Sequence, residues 1–532
     1  MNNSAGTRGL ALGIAVLLGG YLLLTSTVTL HETLWKFDVK RILELGLFPL
    51  IFSTVLFNRT LRAAFREQLE RIPRWVATVL LVLLALGVAS SAYNASSTMS
   101  LLYSLAEVSL LSLWLVAVLA VAACRQAAGT VFDQVAIALI ALVGLAVGVQ
   151  ELTGVFAAWS VGMEFHPRIA LLHFSWPRFY NQVQAWSMPV IAALPLVFPG
   201  RPLAKFFCVA ALVLEWYVLI ATGARGTMVA ITGALLAAAA FLPAIRKTLI
   251  GYQLAGLFGA IFIYALVVFG HQQLVSNEPA GVPASPHSAL SKAEPGQSQQ
   301  KSVDHSADQA AAIRALGERS ESFTEPLTGE RIRTSSGRIA MWRGILRDAQ
   351  AHPLLGIGPM NYACKGPIYR AAHPHNFPLQ FMAEWGMPAV LLLMFTAVVL
   401  LFKLAVTLRT PDASFVQSAP LAAYFATGVL AALILACLDG VLSMPASQVT
   451  GVLVCGCLLG LLPGWTANKG SSAKALLVLT LALAVSFAFL AFARQEISVA
   501  ELRWEQTPVM DRAIPRLWQN GKVCALYQQR GQ

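Results

Sequence analysis

Blocks of apolar residues long enough to cross a bilayer recur along almost the whole chain, and this repetition limits the possible folds more than any other feature. Crossing about 30 Å of hydrocarbon takes roughly 20 helical residues. Such blocks lie near 8–28, 75–95, 100–123, 132–152, 204–222, 227–244, 249–270, 376–402, 415–438, 446–465 and 474–493. Shorter runs at 41–57 and 185–199 suit tilted, broken or interfacial helices. Only 12% of the residues are charged and 57% are hydrophobic. A soluble domain carries about 25% charged residues, so a water-soluble fold of this composition would have nowhere to place its apolar surface. The expectation is an all-α polytopic membrane protein with about 12–13 transmembrane helices, whose backbone polar groups are satisfied within each span. The first run lacks an obvious small-residue cleavage site and reads as a retained helix.

The net charge of +12 fits a membrane topology and calls for no nucleic-acid partner. Lys and Arg gather in short cytoplasmic loops and set orientation. With the N-terminus inside, the inner loops hold Arg59, Arg62, Arg66, Arg71 and Arg74, then Arg125, Arg201 with Lys205, Arg246 with Lys247, Lys403 with Arg409, and Lys469 with Lys474. The opposite orientation breaks that pattern at almost every loop. Two long segments, 153–184 and 271–375, then fall outside, as does the tail from about 494 for an odd span count. The chain divides into an N-terminal bundle over 1–270 that includes loop 153–184, then 271–310, 311–375, C-terminal helices over 376–493 and a short tail over 494–532. Residues 271–310 are rich in Ser, Pro, Gln, Gly and Ala and cannot bury a core, so they are expected to be disordered. In 311–375, Ile339, Met341, Trp342, Ile345 and Leu346 fall at helical spacings, with Ser335 or Ser336 as an N-cap.

The residues able to carry chemistry lie almost entirely on the outer side of this topology. The 311–375 segment holds Arg314, Arg319, Arg331, Arg333, Arg338, Arg343, Arg347, Lys365 and Arg370 against Glu318, Glu321, Glu325, Glu330 and Asp348. Guanidinium forks suit phosphate oxygens, so a basic outer surface points to an anionic ligand such as a lipid pyrophosphate. Most of these arginines read as a solvated helix face; Arg338 differs because it borders the apolar face. Arg225 stands in a glycine-flanked turn at the outer end of a span, where charges are functional candidates. His373 and His375 flank Pro374, which favours an extended His373 and lets the rings share a face. Either imidazole could act as a general base near neutral pH. No third histidine or outer carboxylate cluster follows at ligand spacing, so no metal is expected. Asp439, at the outer end of another span, could orient an imidazole, pair with an arginine or cap its helix. Trp176, Arg178, Phe179, Tyr180, Asn181, Gln182 and Gln184 form an aromatic and amide mixture suited to sugars or head groups. Glu215 is the main charge placed within a span. Among the seven cysteines only Cys364 and Cys524 face an oxidising side, where they could pair.

Gly337-Arg-Ile-Ala-Met-Trp, then His352-Pro-Leu-Leu-Gly-Ile-Gly, then His375-Asn with Leu379-Gln and Glu384-Trp-Gly resemble the signature of the O-antigen ligase and polymerase superfamily. The order and spacing match over about 50 residues, and the Gly-Ala-Arg-Gly turn at Arg225 and the Tyr180-Asn-Gln segment are also similar. The resemblance implies a GT-C-like, metal-independent glycosyltransferase that needs no cofactor. It would take a glycan from undecaprenyl pyrophosphate at the periplasmic face of the bacterial inner membrane. It implies His375 as catalytic base, Arg225 and Arg338 as pyrophosphate ligands, and His373, Asn376, Asp439 and Gln182 as supporting residues, with His352 structural. Within the superfamily, the short tail points to a ligase that delivers O-antigen to lipid A–core. An O-antigen polymerase or protein O-oligosaccharyltransferase is the alternative. A lipid-linked glycan transporter is a different class, and would place its charges near mid-membrane.

Overall fold

The computed structural model describes residues 2–28, 36–160, 171, 174, 177–276, 338–364, 373–464 and 472–504. These residues form helices and connecting turns, with no strand among them. The helices that matter below are α1 (Asn2–Thr27), α2 (Lys36–Phe57), α3 (Arg59–Arg71), α4 (Arg74–Tyr93), α5 (Thr98–Ala128), α6 (Thr130–Ser160), α7 (Pro177–Ile191) and α8 (Pro202–Ala221). They continue with α9 (Arg225–Phe241), α10 (Arg246–Ser276), α11 (Arg338–Ala351), α12 (Phe377–Trp385), α13 (Met387–Arg409), α14 (Ala419–Ala436), α15 (Pro445–Leu461) and α16 (Ser472–Trp504).

Nine of the described helices are long and apolar enough to cross a membrane: α1, α4, α5, α6, α8, α10, α13, α14 and α16. The chain is therefore an all-α, multi-pass membrane protein. The remaining runs among the 12–13 expected form helices that are shorter, more charged or broken, for local reasons. Helix α2 opens with Lys36, Asp38, Lys40, Arg41 and Glu44, and α9 and α15 are apolar but only 17 residues long. Helix α7 carries Pro189 inside it and ends at Ile191, so the run at 185–199 is a broken helix. Large side chains such as Phe258, Phe262 and Phe269 on α10 and Phe395 and Phe402 on α13 are exposed, as lipid-facing positions should be. The segment 277–337, which includes most of the stretch expected to be disordered, lies outside the described residues, as do Arg314, Arg319, Arg331, Arg333, Lys365 and Arg370. The Cys364 side chain and Cys524 lie outside them too.

Caps set several boundaries. The Asn58 side chain accepts from the Thr60 and Leu61 N–H groups to start α3, and Ser97 accepts from Ser100 to start α5. Helix α3 is amphipathic, burying Leu61, Phe65 and Gln68 and exposing arginines. That is the pattern of a helix lying along a membrane surface.

The run expected as one span over 376–402 is two helices, α12 and α13, broken at Gly386. Gly386 has φ 90, and a Cβ there would sit 2.1 Å from the Leu354 carbonyl oxygen. Such a break leaves helix-end groups without intrahelical partners. The His352-Pro-Leu-Leu-Gly-Ile-Gly segment supplies them. Ile357 N–H donates to the Ala383 carbonyl at 2.8 Å, Gly358 N–H to that of Glu384 at 3.0 Å, and Met387 N–H donates back to the Pro353 carbonyl at 2.8 Å. Ser90 of α4 adds a hydroxyl donor to the Glu384 carbonyl at 3.0 Å. This segment is thus a plug that fits the break and fixes α12 in place, with the His352 side chain itself exposed.

Candidate active site

Apart from Gln182, the described candidate residues lie where α9, α11, α12 and α14 begin or end. Pro374 and Asn376 bracket His375, whose φ is 55, a left-handed conformation that non-glycine residues rarely adopt. Asn376 explains how the turn is held. Its carbonyl oxygen caps α12 through Leu379 N–H at 2.9 Å, and its amide donates to the Cys437 carbonyl at the end of α14 at 3.0 Å. The Trp342 indole of α11 donates to the Pro374 carbonyl at 2.9 Å. Three elements therefore determine a backbone geometry that costs on the order of 1–3 kcal/mol on its own.

Held this way, His375 Nδ1 meets Asp439 Oδ1 at 2.8 Å, with the imidazole 23% and the carboxylate 14% exposed. Burial alone would raise the Asp439 carboxyl. The hydrogen bond and charge of His375, then the charge of His373 and the Gly440 N–H at 2.7 Å, outweigh it and hold Asp439 at about 2. An ionised Asp439 can only accept, so Nδ1 of His375 is the donor, and in the neutral form of the ring Nε2 keeps its lone pair. His373 is buried, 4.4 Å from the His375 ring in an edge-to-face contact, and its Nδ1 accepts the His375 N–H at 3.3 Å. Its ring fills the space beside Gly440, where a Cβ would lie 2.4 Å from it. Of the contacts expected for Asp439, the one to an imidazole is present as a direct hydrogen bond.

Arg338, the first residue of α11, donates from Nη1 to the Leu438 carbonyl at 3.1 Å. Partial burial pulls its guanidinium below its ordinary value, Asp439 opposes that, and Arg178 adds to the pull. Arg225 starts α9 after Gly223, whose φ is 61, and its side chain is exposed. The next residue, Gly226, faces Leu435 and Leu438, where an added Cβ would make ordinary 3.7 Å contacts. Arg225 and Arg338 therefore flank the same Leu438–Asp439 turn. Neither has a carboxylate within ion-pair distance among the described residues. Gln182 is different: it is buried within α7, its Oε1 has no hydrogen-bond partner among the described residues, and no described contact joins it to His375.

Residues 210–394 match the family model described as O-antigen ligase. The match covers about a third of the chain, and over it the chain is similar to the O-antigen ligase superfamily. A search of curated proteins finds no match. That likeness supports an O-antigen ligase-type function in the broad sense, in a membrane and lipid-linked glycan context. The O-antigen ligase match runs from within α8 into α13. It covers Arg225, Arg338, His352, His373, His375 and Asn376, and leaves out Gln182 and Asp439.

Two features of this O-antigen ligase-family site were not apparent in the sequence. The sequence showed no third donor near the histidines, yet Asp439 folds back so that donor atoms of His373, His375 and Asp439 lie within 4.8 Å of one another, a spacing that could hold a metal ion. Arg178, grouped by sequence with aromatic and amide neighbours, instead acts electrostatically on Arg338 from 160 positions away. The interior also holds more charge than Glu215 alone. Arg125 meets Asp133 through two guanidinium nitrogens at 2.9 to 3.3 Å, and Arg41 meets Glu44. Glu215 accepts from Tyr180 at 2.8 Å and from Gln184 at 2.6 Å. Glu151 is the exception, buried in α6 with neither carboxylate oxygen hydrogen-bonded among the described residues.

Proposed function

We propose that this chain is an O-antigen ligase of the bacterial inner membrane, transferring O-antigen polysaccharide from undecaprenyl pyrophosphate to a sugar hydroxyl of lipid A–core at the periplasmic face. The observation that carries the reading is the His375–Asp439 pair at 2.8 Å, near two arginines that lack carboxylate partners among the described residues.

In this reading Nε2 of His375 takes the proton of the acceptor hydroxyl as its oxygen attacks the anomeric carbon. The bond from that carbon to the phosphate oxygen breaks, and its electron pair leaves with undecaprenyl pyrophosphate. Asp439 stabilises the imidazolium that forms. Arg225 and Arg338 meet the negative charge that develops on the leaving group, the kind of electrostatic help worth most in a site shielded from water. Backside attack inverts the anomeric centre. The pyrophosphate is a good leaving group, so neither a metal nor a covalent intermediate is required.

Expression in a ligase-null Gram-negative strain tests the reading. Restoration of ladder-bearing lipopolysaccharide supports it. With matched donor and acceptor, the absence of a ladder would refute the ligase assignment and favour glycan polymerisation or protein glycosylation.

A further inference from the structure

The loop that presents Asp439 is gripped from behind by a buried arginine of α2. Arg41 is 1% exposed. Its Nη2 donates to the Ser443 carbonyl at 2.7 Å, and its Nη1 contacts both the Gln448 side-chain oxygen and the Glu44 carboxylate. Gln448 donates to the Leu442 carbonyl at 2.7 Å, and its own backbone carbonyl accepts from the Trp114 indole at 2.9 Å. Ser443 N–H donates to the Gly440 carbonyl at 2.9 Å. The segment from Asp439 to Ser443 is thus closed on itself and pinned at its far end to one guanidinium. On its other side Arg41 borders a cavity of about 30 Å³ shared with Phe377 and Gln380 of α12, the helix that starts directly after Asn376.

A buried ion pair is a weak source of stability, because desolvation offsets most of its Coulombic gain. Its geometry is the informative part. One planar fork reaches acceptors on α2, on α15 and on the loop between α14 and α15, which a point-charge ammonium cannot reproduce. We propose that Arg41 is a positioning residue for the His375–Asp439 pair. It fixes the Asp439–Ser443 loop in the register that brings the carboxylate to the imidazole. The kinetic consequence rests on the glycosyl-transfer reading; the tether does not.

The test uses the full chain in lipid nanodiscs, comparing wild type with Arg41→Lys, which keeps a counter-charge for Glu44, and with the charge-balanced Arg41→Gln/Glu44→Gln. Hydrogen exchange over 437–444 and steady-state transfer from a purified undecaprenyl-pyrophosphate glycan are measured together. Both variants should exchange this loop faster while α14 and α15 keep wild-type protection. Turnover at saturating donor should fall about 10²-fold, as a small misplacement of reacting groups does, with the donor KM unchanged. Unchanged loop exchange in both variants would overturn the proposal. So would a loosened loop with wild-type turnover, or an effect confined to KM. If the wild type transfers no glycan, the functional reading fails, while the loop exchange still decides the tether.

Discussion

Inside the bundle, Arg125 is met by Asp133 and the Gly460 carbonyl, and Arg41 by Glu44, Gln448 and the Ser443 carbonyl. At the end where His375 lies, Arg225 and Arg178 are exposed without a carboxylate partner among the described residues, and there Arg338 is hydrogen-bonded to the Leu438 carbonyl alone. Apart from Glu151, these interior charges are met by the protein itself, as burial demands. The terminal charges have bonding capacity left over, and a ligand is what that capacity fits. Glu215 belongs with the first group: Tyr180 and Gln184 hold it, and Gly144 lets α6 approach its carboxylate, where a Cβ would lie 2.4 Å from Oε1.

Substitutions can break or sharpen the contrast. His375→Ala should have the largest effect, lowering transfer by roughly 10²–10⁴-fold, the range of a lost general base. Arg225→Ala and Arg338→Ala come next, at roughly 10²–10³-fold each, measured as transfer rate with a pyrophosphate-linked donor. Asp439→Asn should cost less in rate but carry a pH signature. The folded value of about 2 lies below the ordinary 3.8, so the ionised carboxylate contributes on the order of 2 kcal/mol above about pH 4. That contribution is lost as pH falls through about 2. The mutant should therefore melt below wild type at pH 7, and the gap should close towards pH 2. Asp133→Asn should alter transfer least. It should instead lower stability by about 1–3 kcal/mol, because the partly buried Arg125 loses its carboxylate and keeps only the Gly460 carbonyl among the described partners. Equal loss of transfer from Asp133→Asn and Arg338→Ala, at matched folded protein, would erase the distinction between the two regions. A chelator should leave transfer unchanged; a loss restored by one metal would assign His373, His375 and Asp439 a cation instead.

The sequence revealed the helical class and the motif residues, because apolar length and a set of ordered short motifs are local signals. It gave less where contacts are distant. Nothing near Gly386 shows that residues 353–358 plug the break there, so 376–402 read as a single span. Asp439 lies 64 positions from His375, and only folding brings its carboxylate to the imidazole. Arg41 and Glu44 offered a readable clue, since opposite charges three apart inside an apolar run should pair on one helix face. Their partners Gln448 and Ser443, about 400 residues away, had no signal of that kind.

The most direct test is single-turnover transfer by purified wild type and His375→Ala, with donor binding measured on the same samples. The account predicts that the mutant binds the undecaprenyl-pyrophosphate glycan as wild type does but transfers it at least about 10²-fold more slowly. Transfer at the wild-type rate by a donor-bound mutant would contradict it.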